Sequence, residues 1–214
     1  LCEWLSTNAA DSDGIIISID QLLYGGLLSS RQSFGKNINE GALWQLLRDI
    51  RNNNPALPIY AFDILPRITP PSNIDSAKDI KNLMKYSRLA DKFSQSYDEN
   101  DLIKMEKLRS NISEKHLEQY SSLYSRNLQL NENLIDLCAD KVITKLVIGQ
   151  DDGEKYGIPN IEKRSLQRYV SKQKLSQNDV IITHGADEAA MSLLFNMAQY
   201  FAHDTYTPKV FVAY

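Results

Sequence analysis

The chain has 214 residues, 43% of them apolar and 24% charged, with 24 basic against 27 acidic side chains and a net charge of −3. That is enough apolar material for one α/β-sized domain over residues 1–214, and the mixed signs leave no basic stripe for nucleic acid or an anionic membrane surface. The longest apolar runs, such as residues 14–19, are far too short to span a bilayer, and Cys2 and Cys138 form neither a disulfide framework nor a metal-ligand spacing.

Residues 1–10 read as the end of a helix, with Trp4 and Leu5 as its apolar positions. Residues 14–20 form the first complete strand, apolar nearly throughout, as a parallel strand covered on both faces should be. Asp20 ends it, and a loop with Gly25-Gly26 leads to Arg31. Glycines there serve either as an ordinary turn or as a close approach of the main chain to a ligand. Residues 39–51 form a helix with Leu43, Leu46, Leu47 and Ile50 inward.

Residues 58–63 form the second strand, which runs into a loop stiffened by Pro70-Pro71, with Asp63 and Arg67 beside each other. Arginine there suits a carboxylate, a phosphate or a sugar hydroxyl, and a tie to Asp63 that only holds the loop is the plainer alternative. Residues 76–125 break the strand–helix alternation. Two apolar stripes, one through Ile80, Leu83, Tyr86 and Phe93 and one through Leu102, Met105, Leu108 and Ile112, predict an inserted helical hairpin.

A helix over 126–139 follows, with Cys138 among its apolar positions and expected to be buried and inert. Residues 145–152 form the third strand with its loop, and a helix over 161–175 has Asn160 as its predicted N-cap. Residues 179–183 form the fourth strand. Thr183-His184-Gly185 turns the chain into a last helix opened by Asp187-Glu188, and residues 210–213 read as a further strand. The first residue is not methionine and the last is in mid-strand, so a fragment of a longer chain is expected, with its compartment open.

This order predicts a parallel sheet with alternating helices, either (β/α)-barrel-like or open and doubly wound. In either, the strand ends share one rim, and ligand sites gather there. Asp20, Asp63 with Arg67, Gln150-Asp151-Asp152, and His184 with Asp187-Glu188 would crowd that rim. Crowded carboxylates repel one another, so one pKa rises unless cations intervene. Such an arrangement suits acid–base chemistry or a divalent metal. Taken singly each piece has a structural use: acids in a first helical turn offset the helix dipole, and loop acids cap amides.

The stretch 17–31 (Ile-Ser-Ile-Asp-Gln-Leu-Leu-Tyr-Gly-Gly-Leu-Leu-Ser-Ser-Arg) resembles a signature of a bacterial family known as domain of unknown function 4127. Tyr60-Ala-Phe with Arg67, the helix bearing Arg126, Asn131 and Asn133, Gly149-Gln-Asp-Asp152 and Gly185-Ala-Asp-Glu188 resemble it in the same order. The resemblance implies a longer parent with an additional N-terminal strand, and it implies no activity. His184-Gly-Ala-Asp-Glu188 is also similar to the His-x-Gly-Gly-Asp-Glu motif of family 20 β-N-acetylhexosaminidases, one residue shorter and with Ala186 for a glycine. That similarity implies Glu188 as acid/base and Asp187 as orienter of the substrate.

Two enzymatic expectations result. The first is a carbohydrate-active hydrolase with Glu188, Asp187 and Asp152 as catalytic carboxyls. Asp20, Tyr24, Arg31, Arg67, Gln150, Asp151 and His184 would bind its small-molecule or carbohydrate substrate, without cofactor or metal. The second is a magnesium- or manganese-dependent hydrolase with Asp20, Asp151 and Asp187 as ligands. A non-catalytic ligand-binding domain with an acidic rim is the third expectation. No GxGxxG follows a strand, so a dinucleotide is not expected.

Overall fold

The computed structural model describes residues 1–32 and 39–202. The predicted strand at 210–213 and His203 lie outside the described residues. The elements, in order, are α1 (Cys2–Asn8), β1 (Ile15–Ser18), α2 (Ile19–Tyr24), α3 (Leu27–Ser30), α4 (Glu40–Asn53), β2 (Ile59–Leu65), α5 (Ala77–Ser96), α6 (Glu99–Arg109), α7 (Glu114–Ala139), β3 (Lys145–Gln150), α8 (Ile158–Lys172), β4 (Val180–His184) and α9 (Ala189–Ala202).

All strand pairs are parallel, and the sheet order is β1-β2-β3-β4, the order of the chain itself. Right-handed crossovers in a sequentially ordered sheet put every connecting helix on the same face. That face holds the larger core, where Leu43, Leu47 and Ile50 of α4, Leu130, Leu134 and Ile135 of α7, and Leu166 of α8 meet Ile17, Ile59, Ala61, Leu146 and Ile148. The other face is covered by α9, whose Ala189, Leu193 and Met197 rest on Tyr60, Ile64 and Val147. This return of the last helix leaves the sheet open, which answers the barrel-or-open question in favour of the open sheet.

Several expected boundaries move. The Gly25-Gly26 stretch separates two short helices: Gly25 has φ +84° and ends α2, its N–H donating to the Gln21 carbonyl at 3.1 Å. α7 runs unbroken through the break expected near residue 125, because Arg126 and Asn127 face protein and not solvent. α8 starts earlier than expected, so Asn160 lies inside it and caps nothing. α9 begins after Asp187-Glu188, leaving both acids in the preceding turn.

The hairpin of α5 and α6 is joined to the rest through α8. Ser87 Oγ and Asp91 Oδ2 accept from the amides of Ile158 (2.8 Å) and Gly157 (2.9 Å), so α5 supplies the N-terminal cap that α8 lacks. Asp91 also binds Arg164 at 2.5 Å. Burial alone would raise its pKa, yet Arg164, the Gly157 amide and Gln95 hold it below the usual carboxylate range. Behind the joint, Leu83, Tyr120 and Tyr124 form a separate small core with Ile74 and Ile112.

Candidate functional site

The carboxyl ends of the strands carry two layers of polar groups, one facing solvent and one beneath it. In the outer layer, Asp151 is clamped by two arginines. Arg31 donates to its Oδ2 at 2.7 Å, and Arg67 donates from Nε to the same oxygen and from Nη2 to Oδ1 at 2.9 Å. These bonds, Arg67's first, hold the Asp151 carboxyl below its ordinary range. Asp152 turns the other way: its Oδ2 accepts from the Ile68 amide at 2.6 Å, while its buried Oδ1 has no partner. Tyr124 and Tyr120 donate to the carbonyls of Arg67 and Ile68, both at 2.7 Å, fixing the loop that presents Arg67.

The inner layer lies between the sheet and the helices. Strand alternation sends Asp63 of β2 and Gln150 of β3 to the helical side, opposite to Ile64. Asp63 is fully buried and its Oδ2 accepts from Asn131 (2.9 Å) and Asn127 (3.4 Å) of α7. It makes no ion pair with Arg67, which corrects the expected loop tie. Burial, reinforced by the nearby Asp20 charge, pushes the Asp63 carboxyl well above its usual value.

Asp20 opens α2 at the end of β1 and is 3% exposed. Burial raises its pKa, tempered by the Ser30 hydroxyl, the Ile64 amide, Arg31 and Arg126, although neither the hydroxyl nor the amide reaches hydrogen-bond geometry. Glu162 of α8 completes the layer. It is 4% exposed, both oxygens lack partners, and burial followed by the Asp63 charge pushes it well above the ordinary range.

Both halves of the crowding expectation are therefore present. Where arginines bond directly to the carboxyl its pKa is lowered, as at Asp151, and where none does burial raises it, as at Asp63 and Glu162. Orphaned acceptors are frequent here: Asp63 Oδ1, Asn131 Oδ1 and Gln150 Oε1 join those of Asp20 and Glu162. Gln150 donates its amide to Asn160 Oδ1 at 2.7 Å.

Tyr24, half-buried beside this layer, lies 4.8 Å under the Arg126 guanidinium, and burial pushes its hydroxyl up to about 12. Arg126 in turn donates to the Ser30 carbonyl at 2.5 Å, linking α7 to α3.

Asp20, Tyr24, Arg31, Arg67, Gln150, Asp151 and Asp152 thus gather at one end of the sheet. His184, Asp187 and Glu188 stand exposed at its margin. Lys163 donates to His184 Nε2 at 3.0 Å. Asp187 is near enough to add to the field on Arg67, which Asp151 dominates. Glu188 folds back over Gly185, so close that a Cβ there would meet its Oε2 at 2.5 Å.

Among the described residues no three His, Cys, Asp or Glu side chains converge closely enough to hold a metal ion. Asp151, one of the expected metal ligands, has both oxygens engaged by arginine.

Glu162, Asn127 and Arg126 were not singled out as site residues from the sequence. For Glu162 a signal exists: it sits four residues before the buried Leu166, an acid on the inward stripe of an amphipathic helix. Cys138 is buried as expected, and burial pushes its thiol up to about 12.

A family model described as "Protein of unknown function (DUF4127)" matches residues 1–214. The chain belongs to this family. Comparison with curated proteins and with solved structures returned no match.

Proposed function

We propose that the protein is a hydrolase acting on a carbohydrate-like, polyhydroxylated substrate at the carboxyl ends of its strands. One observation carries this reading: Asp20 and Asp151 both feel the Arg31 charge and are driven in opposite directions, Asp20 up by burial and Asp151 down by its arginines. Hydrolysis by a carboxyl pair needs one proton donor and one ionised partner, and such split environments supply them. Asp20 is the donor in this scheme. Asp151, with Arg31 and Arg67, orients the substrate and the attacking water. Arg67, with half of its side chain exposed, Tyr24, Gln150 and His184 bind hydroxyl groups.

The exposed Glu188 and Asp187 offer a second donor pair. Asp187 adds to the field on Arg67 and Glu188 lies against Gly185, which supports this alternative.

The test is a screen of the purified protein against chromogenic N-acetylhexosaminides and other glycosides, with and without EDTA. Chelator-resistant cleavage is expected, reduced about 100-fold or more in Asp20→Asn. Loss in Glu188→Gln with Asp20→Asn unaffected would transfer the acid to Glu188. Absence of cleavage of every glycoside would sink the hydrolase reading, and binding without turnover would leave a ligand-binding domain.

A further inference from the structure

Away from the strand ends, α5 and α6 enclose a groove of about 580 Å³, to which the proposed hydrolase assigns no role. The volume is that of a small-molecule site. Both helices turn the same kind of face to it: Lys85, Leu89 and Lys92 along α5, and Lys104, Lys107 and Leu108 along α6, at spacings that share one helix face. Five of the nine lining residues are Lys or Arg and none is acidic, in a chain whose net charge is −3. The aliphatic stems of these cations, with the two leucines and Tyr156, make walls that are apolar with charged tips.

The cations are not equivalent. Arg88 is held by Glu154 at 2.8 Å, Lys104 lies 3.7 Å from Asp101, and Lys92 stands over the Tyr156 ring at 5.2 Å. Lys85 and Lys107 have no ion pair among the described residues. Near the α5–α6 turn the groove runs into a polar mouth that includes Asp98 and Asp101, which repel an anion. The other end, with Lys85 and Lys107, attracts one.

We propose that this groove binds a monomeric anionic amphiphile, an aliphatic chain ending in a carboxylate. Its head lies between Lys85 and Lys107 and its chain lies along Leu89, Leu108 and Tyr156. From residue 85 to residue 92 the helix advances roughly 10 Å, which suits a chain of medium length.

The probe is decanoate, titrated calorimetrically into the whole protein below its micellar concentration. Saturable binding with one site per chain is expected. It should weaken at least about 10-fold in Lys85→Glu/Lys107→Glu, where like charges face the head. Both side chains are exposed, and circular dichroism verifies that the variant folds. Decyltrimethylammonium should not bind.

An unchanged decanoate affinity in the double variant, equal binding of the cationic amphiphile, or no saturable binding would each overturn the proposal. So would binding to phosphatidylglycerol vesicles in the absence of decanoate binding, since that assigns the cations to a membrane surface. Glycosidase activity is independent of all these outcomes.

Discussion

Two sets of buried acids in this molecule are treated in opposite ways. At the joint between the helical hairpin and α8, Asp91 has no exposed surface and is saturated, bonded to Arg164, the Gly157 amide and Gln95. At the strand ends, Asp20, Asp63 and Glu162 are as deeply buried, yet oxygens on each of them find no donor. The first arrangement fastens one part of the protein to another. The second leaves acceptors open and carboxyl pKa values raised, at a stability cost, at the carboxyl end of a parallel sheet.

Removing Asp91 should produce the largest effect. Asp91→Ala leaves Arg164, the Gly157 amide and the Gln95 side-chain amide without their acceptor, and a loss of about 3–5 kcal/mol is expected in urea denaturation. An equally stable variant would dissolve the contrast. Glu162→Leu should act in the other direction. With no partner to lose, it should stabilise the fold by about 1–3 kcal/mol at pH 8, provided the leucine packs. A destabilised Glu162→Leu would mean that the buried acid is bonded in solution.

The pH dependence sharpens the same point. Asp63 and Glu162 have raised pKa values in the folded state. Their stabilising contribution is fully present below the ordinary carboxylate pKa and is lost as pH rises from there through the folded pKa. The slope is at most about 1.4 kcal/mol per pH unit for each acid. Asp91 and Asp151 have lowered values and work oppositely, losing their contribution as pH falls through the folded pKa. Melting temperatures between pH 5 and 8 should therefore decline in the wild type and flatten in Glu162→Leu. A parallel decline in both would remove Glu162 from the account.

Tyr124→Phe should give the smallest effect. It removes the hydroxyl that donates to the Arg67 carbonyl. About 1 kcal/mol is expected, measurable by the same denaturation and without change in the pH profile.

The strands were legible because a parallel strand covered on both faces carries a continuous apolar run, as residues 15–17 and 146–148 do. Their shared direction brought Asp20, Arg67 and Asp151 to one end without any motif. Helix boundaries were less legible where polar residues face inward. The helix expected to start at Arg126 begins instead at Glu114, and its Asn127 is buried against Asp63.

Partnerships were not legible at all. Arg67 chooses Asp151, 84 residues away, over the neighbouring Asp63, because strand alternation points Asp63 into the helical layer. Gly149 reads as one letter of a family motif. In the structure a side chain there would strike the Gly185 carbonyl just past β4, a reason that exists only once β3 and β4 are paired.

The placement of α9 has a consequence for how the chain acquires its structure. Each strand joins the sheet beside the one made just before it, and α4, α7 and α8 close one face as synthesis proceeds. The opposite face, with Tyr60, Ile64 and Val147, is covered only when residues 189–202 have been made and have travelled back to β1. That late closure costs little in equilibrium terms, since loop entropy grows slowly with length. In time it costs more. Until its last described helix arrives, the growing chain covers that apolar face with little beyond Leu27 of α3, and this is the interval in which self-association competes with folding.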